Sequence, residues 1–116
     1  MNPVIDKINS FADLLEDWDS YGAAEISDTA IRKAVSVVEY LDDMALDESI
    51  TVNAFPVCTG IVQLDIDCFA TGRAVEIDCT EEGETIITCF DENVEVVSMC
   101  CENVHCDTIE RFLLNR

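Results

Sequence analysis

Basic side chains are scarce in this sequence. Six Lys and Arg stand against 25 Asp and Glu in 116 residues, a formal charge of −19. Binding of nucleic acid or an anionic membrane surface runs on cationic side chains, so both are excluded as direct partners. Glycine and proline are also few, at four and two, and no Gly-rich phosphate loop, low-complexity segment or linker occurs. Catalytic signatures of the G-x-S-x-G and H-E-x-x-H kind are absent. A single His and eight aromatics leave little for acid–base relays or sugar platforms, so the sequence reads as a non-enzyme. There is no uncharged apolar window of about 18 residues, the minimum for a spanning helix. No basic n-region precedes an apolar run, so no secretory signal is expected and the predicted location is cytoplasmic.

What remains is substantial. Hydrophobic residues make up 49% of the chain, enough for the core of one domain over residues 1–116 and too many for a disordered acidic tail. Residues 1–50 carry 12 acids and 3 bases, and residues 51–116 carry 13 and 3. The charge therefore covers the whole domain. Such a balance disfavours compaction by self-repulsion, raises solubility and attracts basic partners.

Two periodicities divide the chain. Asn2 and Pro3 suit an N-cap and first helical position, and Ile8, Phe11, Leu15 and Trp18 follow at helical spacing, with Gly22 closing the unit. Ser27 is the expected cap of a second helix, whose stripe is Ile31, Val35, Val38 and Leu41. That helix ends on Asp42 and Asp43, where the dipole prefers cations. From Thr51 the period becomes two: Val62, Leu64, Ile66 and Cys68 alternate with Gln63, Asp65 and Asp67, and Val75, Ile77 and Cys79 with Glu76, Asp78 and Thr80. Thr51 to Cys58, with Pro56, predicts an edge strand. Thr85 to Phe90 and Val94 to Cys100 predict two more strands, with turns at Thr71-Gly72, Glu81 to Gly83 and Asp91 to Asn93. Asn103 or Asp107 would cap a last helix carrying Ile109, Phe112 and Leu113. The expected fold is α+β in the order ααβββββα, an antiparallel meander with helices on one face.

Seven cysteines would suggest a disulfide scaffold in a secreted chain. Here the number is odd, and Cys58, Cys68, Cys79, Cys89 and Cys100 recur once per strand and turn. Cysteines at one end of a meander then stand two strands apart, roughly 9–10 Å, beyond the reach of about 7 Å for a disulfide. Reduced thiols serving as small core hydrophobes are expected.

Three constellations carry chemistry. Asp65, Asp67, Glu76 and Asp78 fall on one face of two adjacent strands, extended by Gln63 and Glu84, with only Arg73 nearby. This lattice reads as a mimic of a phosphate backbone, with Asp42 and Asp43 as secondary contacts; the plainer reading is a solvated sheet face. Asp17, Asp19, Gly22, Glu25 and Asp28 occupy positions 1, 3, 6, 9 and 12 of an EF-hand-like frame, but Tyr21 fills a ligand position and Asp28 is short for the bidentate one. An acidic connection with Trp18 and Tyr21 packed inward is the alternative. Cys100, Cys101, His105 and Cys106 offer zinc-ligand chemistry without the C-x₂₋₄-C spacing. No cofactor or metal is expected from either set.

Leu14 to Asp78, with Trp18-Asp19-Ser20-Tyr21-Gly22-Ala23 followed by the segments Gly60 to Asp67 and Ala74 to Asp78, resembles a group of small bacterial and phage proteins of unsettled function. Their strands read roughly G-G-V-Q-L-E-W and L-E-I-E. This chain departs at Thr59, at Asp67 and in its excess of acid and cysteine. The resemblance implies a prokaryotic or phage origin and carries over no functional residue. The functional expectation is an acidic domain that occupies the basic, nucleic-acid-binding surface of a partner protein, by analogy of charge and size with DNA-mimicking inhibitors. A metal-binding module and a small structural domain with a solubility-tuned surface stand as alternatives.

Overall fold

The structure, a computed structural model, describes residues 2–115. Helix α1 (Pro3–Ser10) starts as its sequence dictates: Asn2 Oδ1 accepts from the N–H groups of Val4 (2.9 Å) and Ile5 (3.3 Å), with Pro3 in the first turn. The helix stops earlier than its apolar spacing predicts. A single 3₁₀ turn, Phe11–Asp13, buries Phe11, and the chain then becomes extended at Leu14. Leu15 is 70% exposed and Trp18 sits in a loop. The acids explain the early stop. Asp13, Glu16, Asp17 and Asp19 would crowd the negative end of a longer helix dipole, and Asp side chains compete for backbone N–H groups.

Helix α2 (Asp28–Asp43) is capped by Ser27 Oγ, which accepts from Ala30 N at 3.3 Å. Its buried stripe is Ala30, Ile31, Ala34, Val37, Val38 and Leu41, while Val35 is half-buried. Five strands follow: β1 (Ile50–Pro56), β2 (Val62–Cys68), β3 (Arg73–Cys79), β4 (Thr85–Asp91) and β5 (Val94–Cys101). They pair antiparallel in chain order, so β1 and β5 are the edges. β1 ends at Pro56, two residues short of the predicted end, because Val57 and Cys58 turn the chain. The β4–β5 turn places Glu92 (φ 49°) and Asn93 (φ 69°) both at positive φ, the conformation a two-residue hairpin turn requires.

Helix α3 (Cys106–Leu114) buries Cys106, Ile109 and Leu113, with Phe112 half-buried. His105 stands at its N-cap and makes no side-chain cap bond, so neither Asn103 nor Asp107 has the expected capping role. All three helices lie on one face: α1 against β1, and α2 and α3 against β2 and β3. Between the layers, Val62, Leu64, Ile66, Val75 and Ile77 are fully buried. Each such aliphatic contributes about 1.5–3 kcal/mol by leaving water.

The cysteines are all free thiols. Cys68, Cys79 and Cys89 are buried, as the strand spacing predicts, and so is Cys106 at the start of α3; burial pushes the Cys79 thiol up to about 12. Cys58 and Cys100 depart from the expected core role and are exposed.

Candidate functional site: the open face of the sheet

Strand alternation fixes which side chains share the face turned away from the helices, and the register puts them in rows. One row reads Asn53, Asp65, Glu76, Thr88 and Ser98 across β1 to β5; its neighbours read Phe55, Gln63, Asp78, Ile86, Cys100 and Thr51, Asp67, Ala74, Phe90, Glu95. Asp65 therefore stands directly opposite Glu76. Asp67 and Asp78 lie in the two flanking rows. The structure brings together all four carboxylates of the predicted sheet patch.

Paired residues have Cα atoms about 4.5–5.5 Å apart, and like charges so placed destabilise a sheet. Neighbouring strands also take water away from the carboxylates. Burial, then the charge of Asp67, raises the Asp65 pKa, with the Gln63 amide (Nε2 to Asp65 Oδ1, 3.2 Å) acting in the opposite direction. Burial and the charges of Asp65, Asp78 and Asp67 raise Glu76, and burial and the charge of Asp65 raise Asp78.

Little cationic relief reaches this face. Arg73 begins β3 on the helix side, contrary to its expected place beside the patch. Its guanidinium stacks over Phe112 (4.7 Å to the ring centre), donates to the Phe112 carbonyl (3.0 Å) and meets Asp91 at 3.5 Å. Lys33 donates to the Glu102 carbonyl, and Arg32 pairs with Asp28. Lys7 alone, among the described bases, has a contact with residues of the open face. It reaches over β1 to Asn53 Oδ1 (3.0 Å) and the Phe55 ring (4.7 Å).

Sequence reasoning missed a notch in this face. Ala74, between Asp67 and Phe90, leaves a depression of about 180 Å³ bordered by Asp65, Asp67, Glu76, Phe90 and Asn93. Three carboxylates and a neighbouring aromatic side chain suit an ammonium or guanidinium group, chiefly through charge. The signal was present as a small residue within an otherwise bulky strand, but register was needed to place it.

The other predicted sets are not assembled this way. Asp42 and Asp43 end α2 in the helix layer, with the sheet between them and the open face. In the 17–28 loop, Asp17 Oδ1 accepts from Gly22 N (2.6 Å), and Asp19 Oδ1 accepts from Tyr21 N (2.8 Å) and Ala23 N (3.1 Å). These carboxylates hold the loop's own backbone. Trp18 Nε1 donates to the Ala24 carbonyl, while Tyr21, expected to pack inward, is 92% exposed. Cys100 projects from the open face and donates to Glu84, and Cys101 points to the helix side. The vicinal pair is thus divided between faces.

The raised carboxyl values predict a pH response. Folded Asp65, Glu76 and Asp78 hold protons to higher pH than their unfolded counterparts at 3.8 for Asp and 4.5 for Glu. In the interval above those values the folded state binds more protons, so their contribution to stability rises as pH falls. Calorimetry from neutral pH to about pH 5 should show a gain in melting temperature that shrinks when these residues are replaced by amides. An equal response in the amide variant would refute the assignment.

No helix among the described residues is long and apolar enough to cross a membrane. Compared with known protein families, curated proteins and solved structures, the chain matches none.

Proposed function

We propose that this protein is an acidic interaction domain, an inhibitor or decoy that occupies the basic, nucleic-acid-binding surface of a partner protein. The observation that carries this reading is the direct apposition of Asp65 and Glu76, flanked by Asp67 and Asp78, on a face whose only basic contact among the described residues is at its β1 edge. Such an arrangement works against folding in the free protein. A surface rich in Lys and Arg turns the same repulsion into attraction, and the Ala74 notch gives one such side chain a seat. Electrostatic complementarity of this kind acts on association rate and specificity.

The test is capture from a cell lysate on the immobilised protein at low salt, followed by elution with duplex DNA or with sodium chloride. Retained proteins should be basic, should be displaced by DNA, and should leave as the Debye length shortens from about 10 Å at 0.1 M to 3 Å at 1 M. Partners that survive both washes would count against the reading, as would capture of acidic proteins alone. An empty column would favour a face that only keeps the domain soluble.

A further inference from the structure

The two edges of the sheet are built differently. β1 ends in Pro56, has α1 packed against it and carries the Lys7 ammonium, which donates to Asn53 and lies over the Phe55 ring. Such features keep an edge strand from pairing with other chains. β5 has a bulge opposite Cys89 and Phe90, and no strand among the described residues pairs with its outer side. Its Val96 to Cys101 stretch, about 20 Å long, contains no proline. Val97 and Met99 point to the same side as buried Cys89 and Ile87 and are exposed, since α3 lies over β2 and β3. An apolar hollow of about 230 Å³ lies there, with Ile87, Cys89, Val97, Met99, Ile109 and Phe112 in its walls.

The charge around this edge has one sign. Glu95 and Glu102 flank the stretch, and Glu84 Oε2 accepts from Cys100 Sγ at 3.2 Å. None of these three carboxylates has an ion pair among the described residues, and Lys33 donates to the Glu102 carbonyl instead. Between Arg73 and Arg111 the sequence holds 11 acids and no Lys or Arg.

We propose that β5 takes up an extended segment of another protein as a sixth strand, and that apolar and basic residues alternate along this segment. Charge selects the occupant. An acidic segment, or a second copy of this chain at −19, is repelled by Glu84, Glu95 and Glu102, whereas a cationic one is attracted. The unpaired N–H and C=O groups of the edge supply the main-chain bonds of strand addition. Strand geometry then gives the segment two rows of side chains. One row lies beside Val97, Met99 and the hollow, and apolar residues suit it. The other lies beside Ser98 and Cys100, on the side that carries Glu84 and Glu95, and Lys or Arg suits it. A segment basic at every position would press charge against the apolar row, at a cost in desolvation. This inference goes beyond the acidic face and uses none of its four carboxylates.

The test titrates the protein with three synthetic peptides: Lys and Val in alternation, the same residues in two blocks, and Glu and Val in alternation. Calorimetry should detect binding of the first, weaker binding of the second and none of the third. Amide exchange with the first peptide should show added protection along β5 and none along β1. Met99→Lys should weaken its binding at least about tenfold while circular dichroism remains unchanged. If that variant fails to fold, amide exchange on the unaltered protein decides. The variant with amides at Asp65, Asp67, Glu76 and Asp78 should still gain protection along β5, which separates this edge from the acidic face. Failure of the alternating Lys and Val peptide to bind would overturn the proposal and leave the reading of the acidic face standing. Equal binding of the block peptide would overturn it too, because charge attraction alone would then suffice. So would β5 protection that grows with protein concentration in the absence of peptide, the mark of a second copy on the edge.

Discussion

Replacing Asp65, Asp67, Glu76 and Asp78 together by their amides is expected to weaken capture of the basic partner at least tenfold, about 1.4 kcal/mol, while the domain stays folded and melts no lower than the parent. The substitutions keep side-chain shape, so the Val62 to Cys68 and Val75 to Cys79 core rows behind them are undisturbed. They remove the opposed charges of Asp65 and Glu76, whose repulsion in a cross-strand pair amounts to roughly 0.2–1 kcal/mol. Stability and binding should therefore move in opposite directions. Calorimetry and retention on the immobilised partner, measured on the same preparation, check both. A variant that binds like the parent with the same salt dependence would reduce the acidic face to a solvated surface. One that binds weakly because it has unfolded would be exposed by its melting curve.

Binary pattern makes much of this fold legible. The alternation in Val62 to Cys68 and Val75 to Cys79 leaves only one choice of buried face, and a one-residue slip would bury Asp65, Asp67, Glu76 and Asp78. For that reason the carboxylate patch can be found from sequence. Spacing overextends the first helix because Leu15 and Trp18 continue the rhythm of Ile8 and Phe11. It does not register that Asp17 and Asp19 fold back on Gly22, Tyr21 and Ala23. Arg73 is misplaced for a related reason. Its position next to the turn says nothing of face, whereas its parity with Val75 and Ile77 puts it on the helix side, against Phe112. The Ala74 notch depends on long-range neighbours, which no local pattern encodes. Charge alone groups Asp42 and Asp43 with the sheet acids, and the layer order separates them.

The largest loss of stability is expected from Gly60→Ala. Gly60 lies in the turn between β1 and β2, and that turn is bonded to the loop carrying Trp18 to Ala23. Ala24 N donates to the Cys58 carbonyl (2.9 Å), and Ser27 N donates to the Gly60 carbonyl (2.8 Å). The approach is so close that a Cβ on Gly60 would stand 2.8 Å from the Glu25 carbonyl oxygen, a backbone atom that cannot rotate away, and Gly60 itself has φ +93°. Left-handed backbone alone costs an alanine about 1–2 kcal/mol; displacing a packed neighbour adds about 1–3. Gly22 provides the internal control. It has φ +85°, but a Cβ there would meet nothing within 4 Å, so Gly22→Ala should show only the backbone part. Calorimetry should thus find Gly60→Ala melting well below Gly22→Ala, at about 4 °C or more per kcal/mol for a domain of this size. Equal losses would mean that the Glu25 contact relaxes freely and that the loop is not tightly seated on the sheet. Below its melting point the Gly60 variant should still capture the partner as the parent does, because this turn lies at the end of the strands and contributes no carboxylate to the open face.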